Sequence, residues 1–221
     1  TREANRAISA ISVAASVSLA SGSSQEVSLA GAGAESSNVI LGDTTASVVD
    51  SNLLSDAGIQ LQANDKSSIS ATVVAASIGA GSIGASVSDN SIGYDSDGER
   101  IGNKIEASSL NSTMNAVGAL EVDAESSATI TANVIAASIA VAKGSGTALS
   151  GAGSGVSTTN RVAQDVKASL DGDAQSSAPL ASGIEAGSVA LTATDTSVIT
   201  AHAGAAALAL SFGGNGGNLT I

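Results

Sequence analysis

The phrase VIAASIAVA at 134–142 has near-copies at 12–20 (SVAASVSLA) and 73–81 (VVAASIGAG), and no other feature narrows the choice of fold so far. The copies centre on Val13, Val74 and Ile135, and a weaker version, ITAHAGAAALAL, places Gly204 in the same column; the separations are 61, 61 and 69 residues. Recurrence at a fixed spacing marks one structural unit used repeatedly and stacked on its neighbours. Other columns keep the offset: ISA at 8–10 and 69–71 becomes ITA at 130–132 and 199–201, and Ala46-Ser47, Ala107-Ser108 and Ala168-Ser169 fall in step. The units run approximately 8–68, 69–129 and 130–198, with a partial fourth at 199–221, in one repetitive segment of 221 residues. The eight residues that turn 61 into 69 fall within LDGDAQSSAPLASG (170–183), which holds the only proline and reads as a loop insertion.

Within a unit, IQLQA, IEASSL, ALEVDA and VALTATDTSVITA alternate apolar with polar residues, the pattern of strands. The repeated phrase itself is apolar on both alternating positions. Alanine propensity alone would allow a short buried helix there, but the dense Val and Ile, the Gly-Ser-Gly ending and the missing polar face favour a strand covered on both sides. Hydrophobic residues make up 43% of the chain and aromatics 1%. Without large rings to fill a core, facing backbones must lie close together, in thin layers. The columns Ala46, Ala63, Ala85 and Ala107 are separated by 17, 22 and 22 residues, the lengths of single solenoid rungs. The expected fold is therefore all-β, a parallel β-solenoid of about 61-residue repeats with three coils to the repeat. At about 4.8 Å per coil this would be a rod on the order of 50 Å long.

A net charge of −12, with eight basic residues scattered along the chain, would repel a polyanion, so no nucleic-acid partner is expected. The absence of cysteine excludes disulfides and thiolate metal sites. The opening TREANRAISA has neither an apolar core nor a cleavage site of a signal peptide. The longest apolar run, 203–210 with its flanks, is too short for a membrane span.

Candidate chemistry is sparse. His202, the only histidine, limits any Ser-His-Asp arrangement to a single base, and its column holds Thr72 and Asn133, ordinary polar strand positions. GAGSIG (79–84) satisfies G-x-G-x-x-G, but no helical pattern follows it as a dinucleotide site requires. With Ala140, Ala142 and Ser145 one unit further on, these glycines read as allowing close packing. A carbohydrate-active enzyme would need converging carboxylates and aromatic platforms; Tyr94 and Phe212 are the only aromatics, and no enzyme is expected. An ice-binding array would need ranked Thr-x-Thr, and TAT at 192–194 has no copies in the other units. The best candidate is DSDGE (95–99): Asp95, Asp97 and Glu99, with Asp89 and Asn90 upstream, are closely spaced oxygen ligands around a turn-forming Gly98, which suits Ca²⁺. The EF-hand and tandem nonapeptide patterns are absent, so a solvated loop is the competing reading; DGD at 171–173 is a weaker candidate of the same kind. The sequons NST (111–113) and NLT (218–220) matter only in a glycosylating host.

GASVSDN (84–90), NKIEAS (103–108) and GALEVDAESSATITA (118–132) resemble the recurring strands of very large bacterial surface exoproteins, the filamentous-haemagglutinin-like and leukotoxin-like adhesins built of β-strand repeats. The resemblance covers nearly the whole chain through compositional motifs, and departs from the family in the polar GYDSDGER (93–100) and in the degenerate fourth unit. It implies a secreted, cell-surface β-solenoid stalk or filament. The end coils of a solenoid expose pairable strand edges, so this structural segment is expected to stack end to end or continue into further repeats. The alternative is an adhesive module whose loops 93–100 and 170–183 recognise a receptor, a glycan or Ca²⁺.

Overall fold

Val, Ile and Thr at alternate positions favour extended backbone, where branched side chains pack on a pleated surface. Among the described residues the chain builds fifteen strands and no helix. The computed structural model describes residues 1–19, 28–145, 147–172, 183–214 and 218–221. Each copy of the repeated phrase is a strand: β2 (Ala7–Val17), β7 (Ser68–Gly79), β10 (Thr129–Gly144) and β14 (Val198–Gly213). They lie side by side and parallel in the first sheet, in the order β14-β10-β7-β2.

The second sheet is also parallel and stacks β3 (Leu29–Ile40), β8 (Gly81–Ile92), β11 (Ala148–Val162) and β15 (Asn218–Thr220). The third is organised around β9 (Asn103–Ser126), a bent strand of 24 residues. One half of β9 pairs with β4 (Thr44–Val49) and β12 (Gln164–Gly172). Its other half pairs with β5 (Asn52–Ser55), β6 (Ile59–Asp65) and β13 (Ile184–Asp195), while β1 (Arg2–Ala4) extends the sheet beyond β6. The chain visits the sheets in the order first, second, third, and then returns to the first beside its own earlier strand.

One such pass takes 61 residues where Ile8 pairs with Ile69 and Ile69 with Ile130, and 69 where Ile130 pairs with Ile199. These registers correct the expectation of three coils to the repeat. Ala46 pairs with Ala107 and Ala63 with Ala124, whereas Ala85 lies opposite Gly33 in the second sheet. The 17- and 22-residue spacings separate positions within one wide pass. The first sheet is four strands deep, roughly 14 Å at about 4.8 Å per strand, so the 50 Å rod is replaced by a short stack of broad turns.

The constant 61 conceals unequal corners. In the second sheet the offset is 52 between β3 and β8 (Leu29↔Gly81) and 70 between β8 and β11 (Gly81↔Gly151), nine below and nine above the 61 of the first sheet. In the second pass the first and second sheets are joined by Ala80 alone, where the first pass spends residues 18–28. The second pass instead carries the long corner 93–102 before β9, where the third has only Ala163 between β11 and β12. The extra residues move from one corner to another, and the totals agree. The offset to β13 rises to 70 at Ile184↔Met114 and settles at 69 from Ser188↔Ala119, so the third-pass insertion lies between β12 and β13, as expected. Most of it, 173–182 with Pro179, lies outside the described residues.

The interior has two characters. Where the sheets meet, Ile69, Ile92 and Ile130 are fully buried beside Ile8, Ile40 and Val162. Inside the bend of the third sheet, Ile105 and Ala107 pack with Leu61, Ala63, Val122 and Ala124. Away from that junction the first and second sheets face one another mainly through Ala, Val, Gly and Ser, such as Ala75, Val134, Ser82 and Ser86, with Asn38 and Asn90 buried among them. A Cβ on Gly84 would come within 2.8 Å of the Ala137 carbonyl oxygen, and the Ser86 hydroxyl donates to the Ile135 carbonyl at 2.8 Å. These are the close backbones that the missing aromatics imply. The opposite face of the repeated phrase differs from expectation: Val13, Ile135 and Ile139 are exposed, so this strand is covered on one side only.

Candidate functional site at the acidic corner

The corner 93–102 leaves β8 through Gly93 and enters β9 after Gly102, both at positive φ (79° and 78°). A Cβ on Gly93 would collide with the Ala163 carbonyl of the next pass, 2.0 Å away, so the tight exit demands glycine. Tyr94 and Arg100 form an antiparallel bridge at the base of the turn. At its tip, Asp95 Oδ1 accepts the backbone N–H groups of Asp97 (3.0 Å) and Glu99 (2.8 Å), a side-chain-closed turn completed by Gly98 at φ 83°.

The third pass clamps this corner. Arg161 of β11 donates from Nη2 to both carboxylate oxygens of Asp89 at 3.1 Å and from Nη1 to the Gly98 carbonyl at 3.4 Å. Its guanidinium lies over the Tyr94 ring, 5.2 Å from the centroid, within cation–π range. Arg100 reaches Asp165 of β12, whose carboxylate raises the guanidinium's already high pKa through their hydrogen bond.

Asp95, Asp97 and Glu99 thus share one turn, with Asp95 committed to backbone donors, while Asp89 sits on β8 bound to an arginine. Among the described residues no three acidic or histidine groups are arranged to hold a metal ion. Of DGD, Asp171 and Gly172 fall on β12 and Asp173 lies outside the described residues. His202 sits beside Asn133, in the column expected for it, and is exposed. Gly79 and Gly81 flank the one-residue turn at Ala80, with strand on both sides. The partners of Gly81 and Gly84 in the third pass are Gly151 and Ser154, not Ala142 and Ser145, because of the nine-residue slip. Asn111 adopts φ 47° at a bend of β9 and donates to Asp50, itself at φ 47° one pass earlier.

Buried charges elsewhere are paired. Asp65, fully buried, accepts from Arg6 at 2.5 Å. Glu106 is flanked by Lys104 and Lys167; the hydrogen bond from Lys104 holds its carboxyl below the ordinary value, against the opposing effect of burial.

Two features escaped the sequence reading. Asn38, Asn90 and Asn160 form a ladder through the second sheet: the Asn38 and Asn90 amides each donate to the next asparagine's carbonyl at 2.8 Å, and all three donate to a Ser or Thr hydroxyl two residues back. Arg161 also went unseen, since fixed 61-residue columns align it with Arg100 whereas the register places it beside Ser91. The local signal for both is Asn followed two residues later by Ile or Val, in SNVI (37–40), DNSI (89–92) and TNRV (159–162).

Compared with known protein families, curated proteins and solved structures, the chain matches none.

Proposed function

We propose that this chain is a β-solenoid segment with a structural role in an extracellular bacterial surface adhesin or filament, without catalysis. The observation that carries the reading is the register: each pass sets its strands parallel to those of the pass before, in all three sheets. Such a stack grows by addition of identical layers, and its stability comes from neighbouring layers. The outermost strands β2 and β14 of the first sheet each offer an open edge, to which further repeats of the polypeptide or a second copy can pair. The acidic surface and the lack of cysteine suit an exported chain. The acidic corner supports the structural reading too, since Arg161 ties two passes together.

Electron microscopy of the purified protein in Ca²⁺ and in EGTA tests this. Rods or filaments with an axial repeat of about 4.8 Å, indifferent to chelation, are expected. Compact particles that change on chelation would overturn the proposal in favour of a calcium-dependent binding module.

A further inference from the structure

The four strands of the first sheet carry no carboxylate at all, although the chain holds 20 Asp and Glu. Three adjacent outward-facing columns are apolar: Val13, Val74 and Ile135 stand in one row and Val17, Ile78, Ile139 and Leu208 in another, with Ala15, Ala76, Ala137 and Ala206 between them, while the columns of Ser9 and of Thr72, Asn133 and His202 on the same face are polar. Val13 is 67% exposed, Ile135 50% and Leu208 51%, far above what β-branched and aliphatic residues show when covered. Lys143 and His202 are the only ionisable groups on these strands. We infer that this face is the interface between two copies of the chain, packed sheet against sheet.

Three observations select a second copy as the occupant. First, extent: three adjacent apolar columns four strands deep, lengthened by Val141 and Leu210 on β10 and β14, project roughly 350 Å², a contiguous patch and not scattered surface apolars. With the flanking polar rows, which include Asn133 and His202, the whole outward face approaches the ~800 Å² per partner of a standard interface. Second, charge: two chains of net charge −12 repel one another over most of their surface, and this is the sheet on which they meet without apposing carboxylates. An anionic lipid surface would repel the same chain. Third, shape: rows of β-branched side chains separated by a row of alanine form ridges and a groove, and two such faces interdigitate at about 10 Å between sheets. A two-fold pair needs only one self-complementary patch and closes at two copies. This sets it apart from edge-to-edge growth through β2 and β14, and the inference does not depend on the adhesin reading.

The test is the mass in solution, by sedimentation equilibrium, of the wild type, V74K/I135K, the milder V74T/I135T and I83K. Ile83 faces outward on the second sheet, at 67% exposure, and serves as the control. At concentrations below those that give end-to-end assembly, a concentration-dependent wild-type dimer is expected, undiminished by salt, retained in I83K, weakened at least tenfold in V74T/I135T and lost in V74K/I135K, all with wild-type circular dichroism. The threonine pair keeps the test decisive if the lysine pair fails to fold. A wild type that stays monomeric at all concentrations overturns the inference, as does an assembly that neither double variant weakens or that I83K weakens equally. A monomeric wild type that floats with phosphatidylcholine vesicles would assign the face to lipid and overturn it as well.

Discussion

The first and second sheets meet nearly backbone to backbone, through Gly84, Ser86 and Ala137, whereas the third closes on itself around Ile105, Leu61 and Val122. Both regions stack the same way along the chain. They differ in what fills the space between layers, and therefore in which substitutions they resist. The bend of the third sheet and the junction at Ile130 are ordinary aliphatic cores in which lost volume is the danger. The thin region has little volume to lose, and added volume is its danger.

The largest effect is expected at the junction. Ile130→Ala removes a fully buried side chain from the Ile8, Ile69, Ile130 row, and urea denaturation should report a loss of about 2–5 kcal/mol. Gly84→Ala should reverse the usual tolerance of small residues: its Cβ meets a backbone oxygen that cannot step aside, and about 1–3 kcal/mol is expected to go. If Gly84→Ala proves neutral, the sheets are further apart than described and the contrast fails.

Asn90→Ala comes next. It leaves the Asn38 amide and the Asn160 carbonyl without their mutual partner, at about 1–2 kcal/mol; hydrogen exchange should show the second sheet opening before the third. Arg161→Met frees the acidic corner, at about 0.5–1 kcal/mol, and limited proteolysis should then cut within 93–102 while the rest of the chain stays protected. The smallest effect is electrostatic. Glu106 is held below its ordinary pKa of 4.5 in the folded protein, so its contribution is complete above that value and fades as pH falls through the lower folded value. The stability difference between wild type and Glu106→Gln should therefore shrink on acidification below about pH 4.5; a difference flat with pH would remove Lys104 and Lys167 as the cause.

Much of this architecture was legible in the residues. The strand content, the parallel stacking of like columns in the first sheet and the thinness of the interior follow from the recurring phrase and the lack of aromatics. What misled was the constancy of 61. Repeats are visible in sequence only as offsets, and an offset is a sum over corners; the slip at Ala80 and its recovery at 93–102 cancel in that sum. That is why the Asn38, Asn90, Asn160 ladder and Arg161 stayed hidden, and why Gly81 took the wrong partner. The division of a unit into three coils failed for a related reason, since alanine recurs on every inward face whether or not the faces are stacked.

The acidic corner shows what spacing alone leaves out. Asp95, Asp97 and Glu99 are close in sequence and share one turn, and the folded chain adds partners that no spacing displays: backbone N–H groups on Asp95 Oδ1 and the Arg161 guanidinium on Asp89.

The migrating nine residues carry a practical consequence. The stack holds its alignment through matching rows and the asparagine ladder, while the length of chain between rows varies from one layer to the next. Connector length and layer geometry are thus decoupled, and the corners behave as ports. A foreign peptide spliced in place of residues 95–99, within the corner closed by Gly93 and Gly102, would be displayed at a fixed height on the stack without disturbing the layers above or below. The same decoupling lets successive layers of one scaffold carry different loops, a surface that can diversify while its frame stays constant.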